Sequence, residues 1–362
     1  MMALSHLTAS IPDETSLASL RKEYKDHSRF AGKIAVVGFG KMGALHATIL
    51  KMLNRETEVA VVDESKLVRT AGSTFLNGVK FYGALDKMLT KENPDVVYIT
   101  TPASTHFDVI SILAASTVES IFVEKPPTKD SSQLAKLTRL LGKRRVVMVG
   151  LQKRFALPFR HLKQLIDAGA LGNLESVEAS IESGDVLTET TRFDKLGRGC
   201  LLDLGIHTID LINWLFGPVT VSTADATSVY TKLDDTVNAV LRERHGAVIK
   251  LKVSWSSKNV RWPSARIRVA GSGTVVDACE DSLLLTPLGK EGRFISKPAY
   301  YRDLAAVNLA DPEYTLEDMH FVSCVSKGEE PETSLRMSET TMKLIDEIYS
   351  MVQLGKSNSS RR

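Results

Sequence analysis

In the run LLDLGIHTIDLINWLF, residues 201–216, Asp203, His207 and Asp210 are the ionisable side chains of an otherwise mostly apolar segment. Wound as one helix from Leu201 to Phe216, they share a stripe of roughly 60°, since each residue advances about 100°. The other faces carry Leu201, Leu204, Ile206, Ile209, Leu211, Ile212 and Leu215, which suits a buried helix. Ionisable groups on such a helix need partners. Two readings stay open: the three satisfy one another in a core, or the stripe borders a cleft and exchanges protons. An imidazole with an ordinary pKa near 6.5 suits proton exchange near neutrality. A metal reading is weaker, because Asp203 and His207 lack a third ligand at a usable spacing.

Two further groups belong beside this stripe. Lys125, in FVEKPPT, follows a β-rich run, and the C-terminal ends of parallel strands are where open α/β sheets bind ligands. Gly38, Gly40 and Gly43 form G-x-G-x-x-G in IAVVGFGKMGALH, residues 34–46, between an apolar run and a helical period. There Gly38 permits a turn, Gly40 lets backbone approach a diphosphate, and Gly43 lets a helix pack on a sheet. The N–H groups opening that helix, around Phe39, Lys41 and Met42, offer an anion unpaired donors and positive potential. Asp63 ends the next strand, EVAVVD, about 20 residues on, where a carboxylate accepts bonds from ribose hydroxyls and repels a 2′-phosphate. NAD is therefore the expected cofactor. NADP stays open because Lys66 lies near enough to offset part of that repulsion.

The elements that must position these groups follow from periodicity. Strands are expected at KIAVVGF, EVAVVD, VKFYG, DVVYITT, SIFVE and VVMVGLQKRF, and helices at MGALHATILKML, ALDKMLTK, HFDVISILAAS and SQLAKLTRLLGK. Strands as apolar as VVYIT suit a parallel sheet covered on both faces. A doubly wound dinucleotide-binding domain over 31–150 follows. After a helix at PFRHLKQLIDAGALG come LESVEASIES, VTVSTADATSVY, TVNAVLRER, AVIKLKVSWSS, ARIRVAGS, GTVVDAC and SLLLTPL. Their alternation predicts a large, mostly antiparallel sheet with one face on helices, so 151–362 forms a second, α/β domain, helical again over 315–354. Residues 1–30 are an extension holding a short helix at SLASLRKEYKDH.

A chain of 362 residues with a net charge of +3 gives no reason to expect nucleic acid, and no apolar run is long enough for a membrane span. The first residues lack the basic start and apolar block of a signal peptide. Three dispersed cysteines, Cys200, Cys279 and Cys324, form neither a disulfide framework nor a CxxC site. A cytoplasmic location is expected.

Taken as an ordered set, GFGKMGALH, TTPASTH (100–106), EKP (124–126), QKRF (152–155) and LLDLGIHTID (201–210) resemble the Gfo/Idh/MocA family of nicotinamide-dependent oxidoreductases. The resemblance spans roughly residues 32–355. It implies a Rossmann domain followed by an α/β domain whose open sheet commonly joins copies into a dimer or tetramer. It places Lys125, Asp203 and His207 on the substrate hydroxyl and its proton. It adds Thr100, Thr101, Pro102, His106, Glu124, Lys125 and Gln152 to the cofactor contacts, and Arg154 to the substrate contacts. One departure is GRGC at 197–200, where the family often has three glycines.

The expected chemistry is hydride transfer between NAD(P) and a secondary alcohol or ketone of a sugar, cyclitol or sugar derivative. His207 is the favoured base, with Lys125 as the alternative; Asp203 orients one of them. Two other outcomes are an NAD-dependent glycosidase working by transient oxidation and a non-catalytic nucleotide-sensing binding protein.

Overall fold

The computed structural model describes residues 30–359 apart from 31, 55, 143–144, 188–196, 261 and 297–311. The expected helix near residues 16–27 lies outside them. Six parallel strands, β1 (Lys33–Val37), β2 (Glu58–Val62), β3 (Lys80–Tyr82), β4 (Val96–Ile99), β5 (Ser120–Glu124) and β6 (Val146–Gly150), form one sheet in the order β3-β2-β1-β4-β5-β6. The crossovers are α1 (Lys41–Leu53), α2 (Lys66–Phe75), α3 (Leu85–Glu92), α4 (His106–Ala114) and α5 (Ser131–Leu141). Every residue of β4 and β5 is buried, as expected where helices cover both faces. Strand order reverses between β1 and β4, and such a reversal opens a crevice at the strands' C-terminal ends.

Helix α2 has no counterpart in the expected elements. Its sequence, KLVRTAGSTF, holds β-branched residues and a glycine, which weaken local helix propensity. The Ser65 side chain caps it by accepting from the Val68 N–H. Phe81 packs where a Cβ on Gly72 would stand, 2.6 Å from its ring. Capping and tertiary contact outweigh propensity here.

The second domain opens with α6 (Leu157–Asp167) and β7 (Leu174–Glu182), then α7 (Cys200–Asp203) and α8 (Gly205–Phe216). Strands β8 (Val219–Thr227), β9 (Thr236–Glu243), β10 (Val248–Ser254), β11 (Ser264–Gly271), β12 (Thr274–Cys279), β13 (Ser282–Pro287) and β14 (Arg293–Ser296) join β7 in an eight-stranded sheet. Its order is β14-β13-β12-β11-β7-β10-β9-β8, with β7 and β10 parallel. In β10, Ile249, Leu251 and Val253 are buried while Lys250 and Lys252 are exposed, so one face carries the core. Strand β14 lies beyond the last expected strand.

Two C-terminal helices, α9 (Pro312–Lys327) and α10 (Ser338–Ser359), replace the single helical region expected there. Met319, Phe321 and Val322 of α9 pack with Val36, Tyr98 and Phe122 of the first sheet. Residues 331–335 then run along β6, where Val149 N–H donates to the Thr333 carbonyl at 2.8 Å and Leu335 N–H to that of Val147 at 3.1 Å. The C-terminal chain thus returns to cover the first sheet.

Candidate active site

The glycine loop is built by close approach. Gly38 has φ +91, and a Cβ there would stand 2.8 Å from the Thr101 nitrogen; one on Gly43 would stand 1.9 Å from the Gly38 oxygen. Both positions need glycine. At Gly40 a Cβ would meet nothing within 4 Å, so the space above it is open. Gly40 caps α1 without any side-chain bond, and the first turn holds no acid. The N–H groups there are thus left for an anion, which fits a dinucleotide diphosphate.

Asp63 is held by backbone on both oxygens, from Phe39 N–H at 2.8 Å and Ser65 N–H at 2.9 Å. Its carboxylate keeps further lone pairs for ribose hydroxyls. The Phe39 ring packs edge-on against Phe81, and its N–H is spent on Asp63. Lys41 is exposed and Met42 half-buried at the start of α1, and Lys66 is exposed at the start of α2. Thr100 Oγ1 donates to the Gly38 carbonyl at 2.6 Å, joining the loops after β1 and β4. In that second loop, Thr105 Oγ1 bonds Thr101 Oγ1 and the Pro102 carbonyl, each at 2.8 Å.

Lys125 follows β5, and its peptide bond to Pro126 is cis. Its ammonium donates to Asp203 Oδ1 at 2.9 Å and to the Asp203 carbonyl at 2.8 Å. The expected continuous helix from Leu201 is in fact interrupted at Leu204, between α7 and α8. His207 N–H bonds the Leu204 carbonyl at 3.2 Å instead of that of Asp203, which a regular turn would use. The Asp203 carbonyl is thereby released for Lys125. Gly205 packs closely on the sheet, where a Cβ would lie 3.1 Å from Val253.

His207 is buried, and its Nδ1 has no hydrogen-bond partner. Burial pushes its pKa well below the usual histidine value, and the nearby charges of Lys125 and Lys153 push the same way. The ring is therefore neutral at physiological pH, a correction to the ordinary value expected above. A neutral imidazole can take a proton.

Several expected contacts are engaged within the protein. Arg154 and Asp210 form a buried bidentate pair, with both N–H···O distances 2.6 Å, and Arg154 also donates to the Glu332 carbonyl. Asp210 thus leaves the proton-exchange stripe, and Arg154 spends its guanidinium on the fold. The QKRF segment is a 3₁₀ turn after β6 rather than a strand end, and Gln152 donates to Tyr314 Oη at 2.9 Å. Buried His106 sets Nδ1 2.9 Å from the Pro126 carbonyl and Nε2 2.8 Å from that of Thr101, tying the Lys125 loop to the loop after β4.

Glu124 accepts from Lys125 N–H at 3.1 Å and from His46 Nε2 at 3.2 Å. The other nitrogen of His46 lies 2.9 Å from Asp318. Burial opposes charging His46, but Asp318 and Glu124 outweigh it and hold the ring well above its usual pKa. Cys200 is buried beside Asp234 and the Val253 carbonyl, and burial pushes its thiol up. It is an inert thiol here.

Sequence reasoning missed Lys153 and Asp234. Lys153 bonds Glu280 at 2.7 Å and supplies part of the positive potential on His207. The signal was its place within QKRF. Asp234 starts α7 by accepting from Leu201 N–H at 3.0 Å. A Cβ on Gly199 would stand 2.1 Å from its Oδ1, so glycine remains in GRGC where Asp234 crosses. Among the described residues no group of three or more His, Cys, Asp or Glu could hold a metal ion, and no described helix is long and apolar enough to cross a membrane.

Known proteins share the family and the fold. Residues 32–151 match the model of an oxidoreductase family with an NAD-binding Rossmann fold, and residues 159–276 match the Gfo/Idh/MocA C-terminal domain. The chain is 25% identical to myo-inositol 2-dehydrogenase of Thermotoga maritima over 318 residues, covering 83% of this chain and 90% of that one. It is 30% identical to the rhizopine catabolism protein MocA of Rhizobium meliloti over 202 residues, 55% of this chain and 62% of that protein. An oxidoreductase from Agrobacterium radiobacter, solved with NAD+, L-tartaric acid and magnesium, superposes with a TM-score of 0.79 at 22% identity, covering 90% and 97% of the two chains. With both domain models matched in order, the chain belongs to the Gfo/Idh/MocA family of oxidoreductases and carries its NAD-binding Rossmann fold.

Proposed function

We propose that this protein oxidises a secondary alcohol of a sugar, cyclitol or sugar derivative, reversibly, with NAD as hydride acceptor. The observation that carries the reading is the pairing of Lys125 with Asp203 beside the neutral, partner-poor imidazole of His207. Relatives named for inositol and apiose support a polyhydroxylated substrate.

When bound, NAD supplies the acceptor for the carbinol hydride. The chain supplies the rest. His207 accepts the hydroxyl proton as the carbonyl forms, since hydride loss without it leaves a protonated carbonyl of high energy. Lys125 has three N–H donors; Asp203 takes two, and the third donates to the reacting oxygen and stabilises its growing negative charge. Asp203 fixes the ammonium. Asp63 accepts from the adenosine ribose, and the uncapped start of α1 receives the diphosphate. The outward face of the eight-stranded sheet, where Lys250 and Lys252 alternate with buried residues, is the surface through which copies associate in this reading.

The test is a screen of inositols, polyols and sugars with NAD, read at the reduced-nicotinamide absorbance. On a substrate so found, His207→Ala and Lys125→Ala are each expected to lose about a hundredfold or more in turnover while still binding NADH. Near-normal turnover in both variants refutes the assignment.

A further inference from the structure

Trp262 comes from the second domain, in the connection between β10 and β11, yet its indole meets the side chain of Lys41 in the first. The Lys41 ammonium lies 5.7 Å from its ring centroid, and Lys41 is the first residue of α1, at the helix end suited to a diphosphate. Trp262 is 66% exposed, whereas Trp255 is fully buried. An aromatic ring two-thirds exposed, next to the lysine that opens α1, has surface to lose when a ligand binds there.

The connection that carries it is anchored at its start. Trp255 N–H donates to the Asp235 carbonyl at 3.1 Å, and Ser257 N–H to that of Ser183 at 2.9 Å. Ser257 Oγ bonds Glu182 at 2.5 Å. Asn259 adopts φ 66, the left-handed turn. A Cβ on Gly184 would stand 2.8 Å from the Val260 oxygen, so the end of β7 presses against the turn just before Trp262. Pro263 follows and restricts the tryptophan backbone to extended conformations.

We infer that Trp262 is a cofactor-binding residue: it closes over the diphosphate of the bound dinucleotide from the second domain, holding Lys41 between indole and phosphate. This rests on the dinucleotide reading of the glycine loop. The ammonium neutralises phosphate charge while the indole keeps one side of it from water, which strengthens the hydrogen bonds beneath. Each domain then contributes to the same ligand, and cofactor binding draws the two together.

The experiment is calorimetric titration of the full chain and of Trp262→Ala with NADH, ADP-ribose and adenosine, alongside thermal melts. The exposed position predicts an unchanged melting temperature. Kd for NADH and for ADP-ribose should each rise roughly tenfold, and Kd for adenosine, which carries no phosphate, should stay the same. Trp262→Phe should recover most of the loss. Energy transfer from indole to reduced nicotinamide should fall in both variants. Unchanged NADH affinity in Trp262→Ala, against tight binding by the natural chain, overturns this inference alone. A loss seen with NADH but not with ADP-ribose overturns the placement over the diphosphate. Failure of the natural chain to bind NADH overturns the dinucleotide reading with it.

Discussion

Lys125 meets Asp203 at two different atoms, the carboxylate at 2.9 Å and the backbone carbonyl at 2.8 Å. The second contact does not depend on the side chain at 203. Asp203→Ala therefore leaves the ammonium half-held, and Asp203→Asn leaves it an oxygen acceptor at both atoms. A hydrogen bond to a charged group is worth about 1.5–3 kcal/mol, or roughly ten- to a hundredfold in rate. Turnover is expected to fall by that amount in Asp203→Ala and by less in Asp203→Asn, with NADH affinity unchanged. Steady-state kinetics beside an NADH titration checks this; equal turnover in Asp203→Ala and the natural chain counts against it.

With His207 as the proposed base, its titration sets the acid side of the rate profile. The neutral form takes the proton in that mechanism, so oxidation should be lost as pH falls through the pKa of the folded protein. Burial and the charges of Lys125 and Lys153 place that pKa well below the usual value near 6.5. The acid limb of kcat/KM is therefore expected below pH 6.5. Lys153→Met removes one cation, which makes the imidazolium easier to form and moves the limb upward. A limb that stays put in Lys153→Met would remove His207 from the proton path.

The parts of the site that were legible are those whose chemistry is local. Gly38, Gly40, Gly43 and Asp63 carry their meaning in spacing along one βαβ unit, and Lys125 in its place after a strand. The rest depends on partners far along the chain. Asp210 shares a helical stripe with His207, but Arg154, 56 residues earlier, draws it into a buried pair. The break at Leu204 is invisible to periodicity, because the apolar pattern runs straight through it; it shows only where the His207 N–H turns to the Leu204 carbonyl and Lys125, far along the chain, takes that of Asp203. Nothing local sets Lys153 apart from other lysines; its burial follows from Glu280, 2.7 Å away in the fold. The ordinary pKa first ascribed to His207 failed for the same reason, since burial and charge at a site are tertiary quantities.

Gly40 and Gly43 separate cofactor binding from folding. A methyl group on Gly43 would stand 1.9 Å from the Gly38 oxygen, a backbone atom that cannot swing aside, while one on Gly40 would meet no protein atom within 4 Å. Gly43→Ala must shift α1 against its own loop, so both its melting temperature and its NADH affinity should drop. Gly40→Ala adds a methyl only to the space above the start of α1. Its melting temperature without ligand should match the natural chain, and its NADH affinity should weaken by about tenfold or more as the diphosphate is pushed from the helix N–H groups. Thermal melts with and without NADH distinguish the two variants. If Gly40→Ala binds NADH as tightly as the natural chain, the diphosphate lies elsewhere, and the open space above residue 40 has some other use.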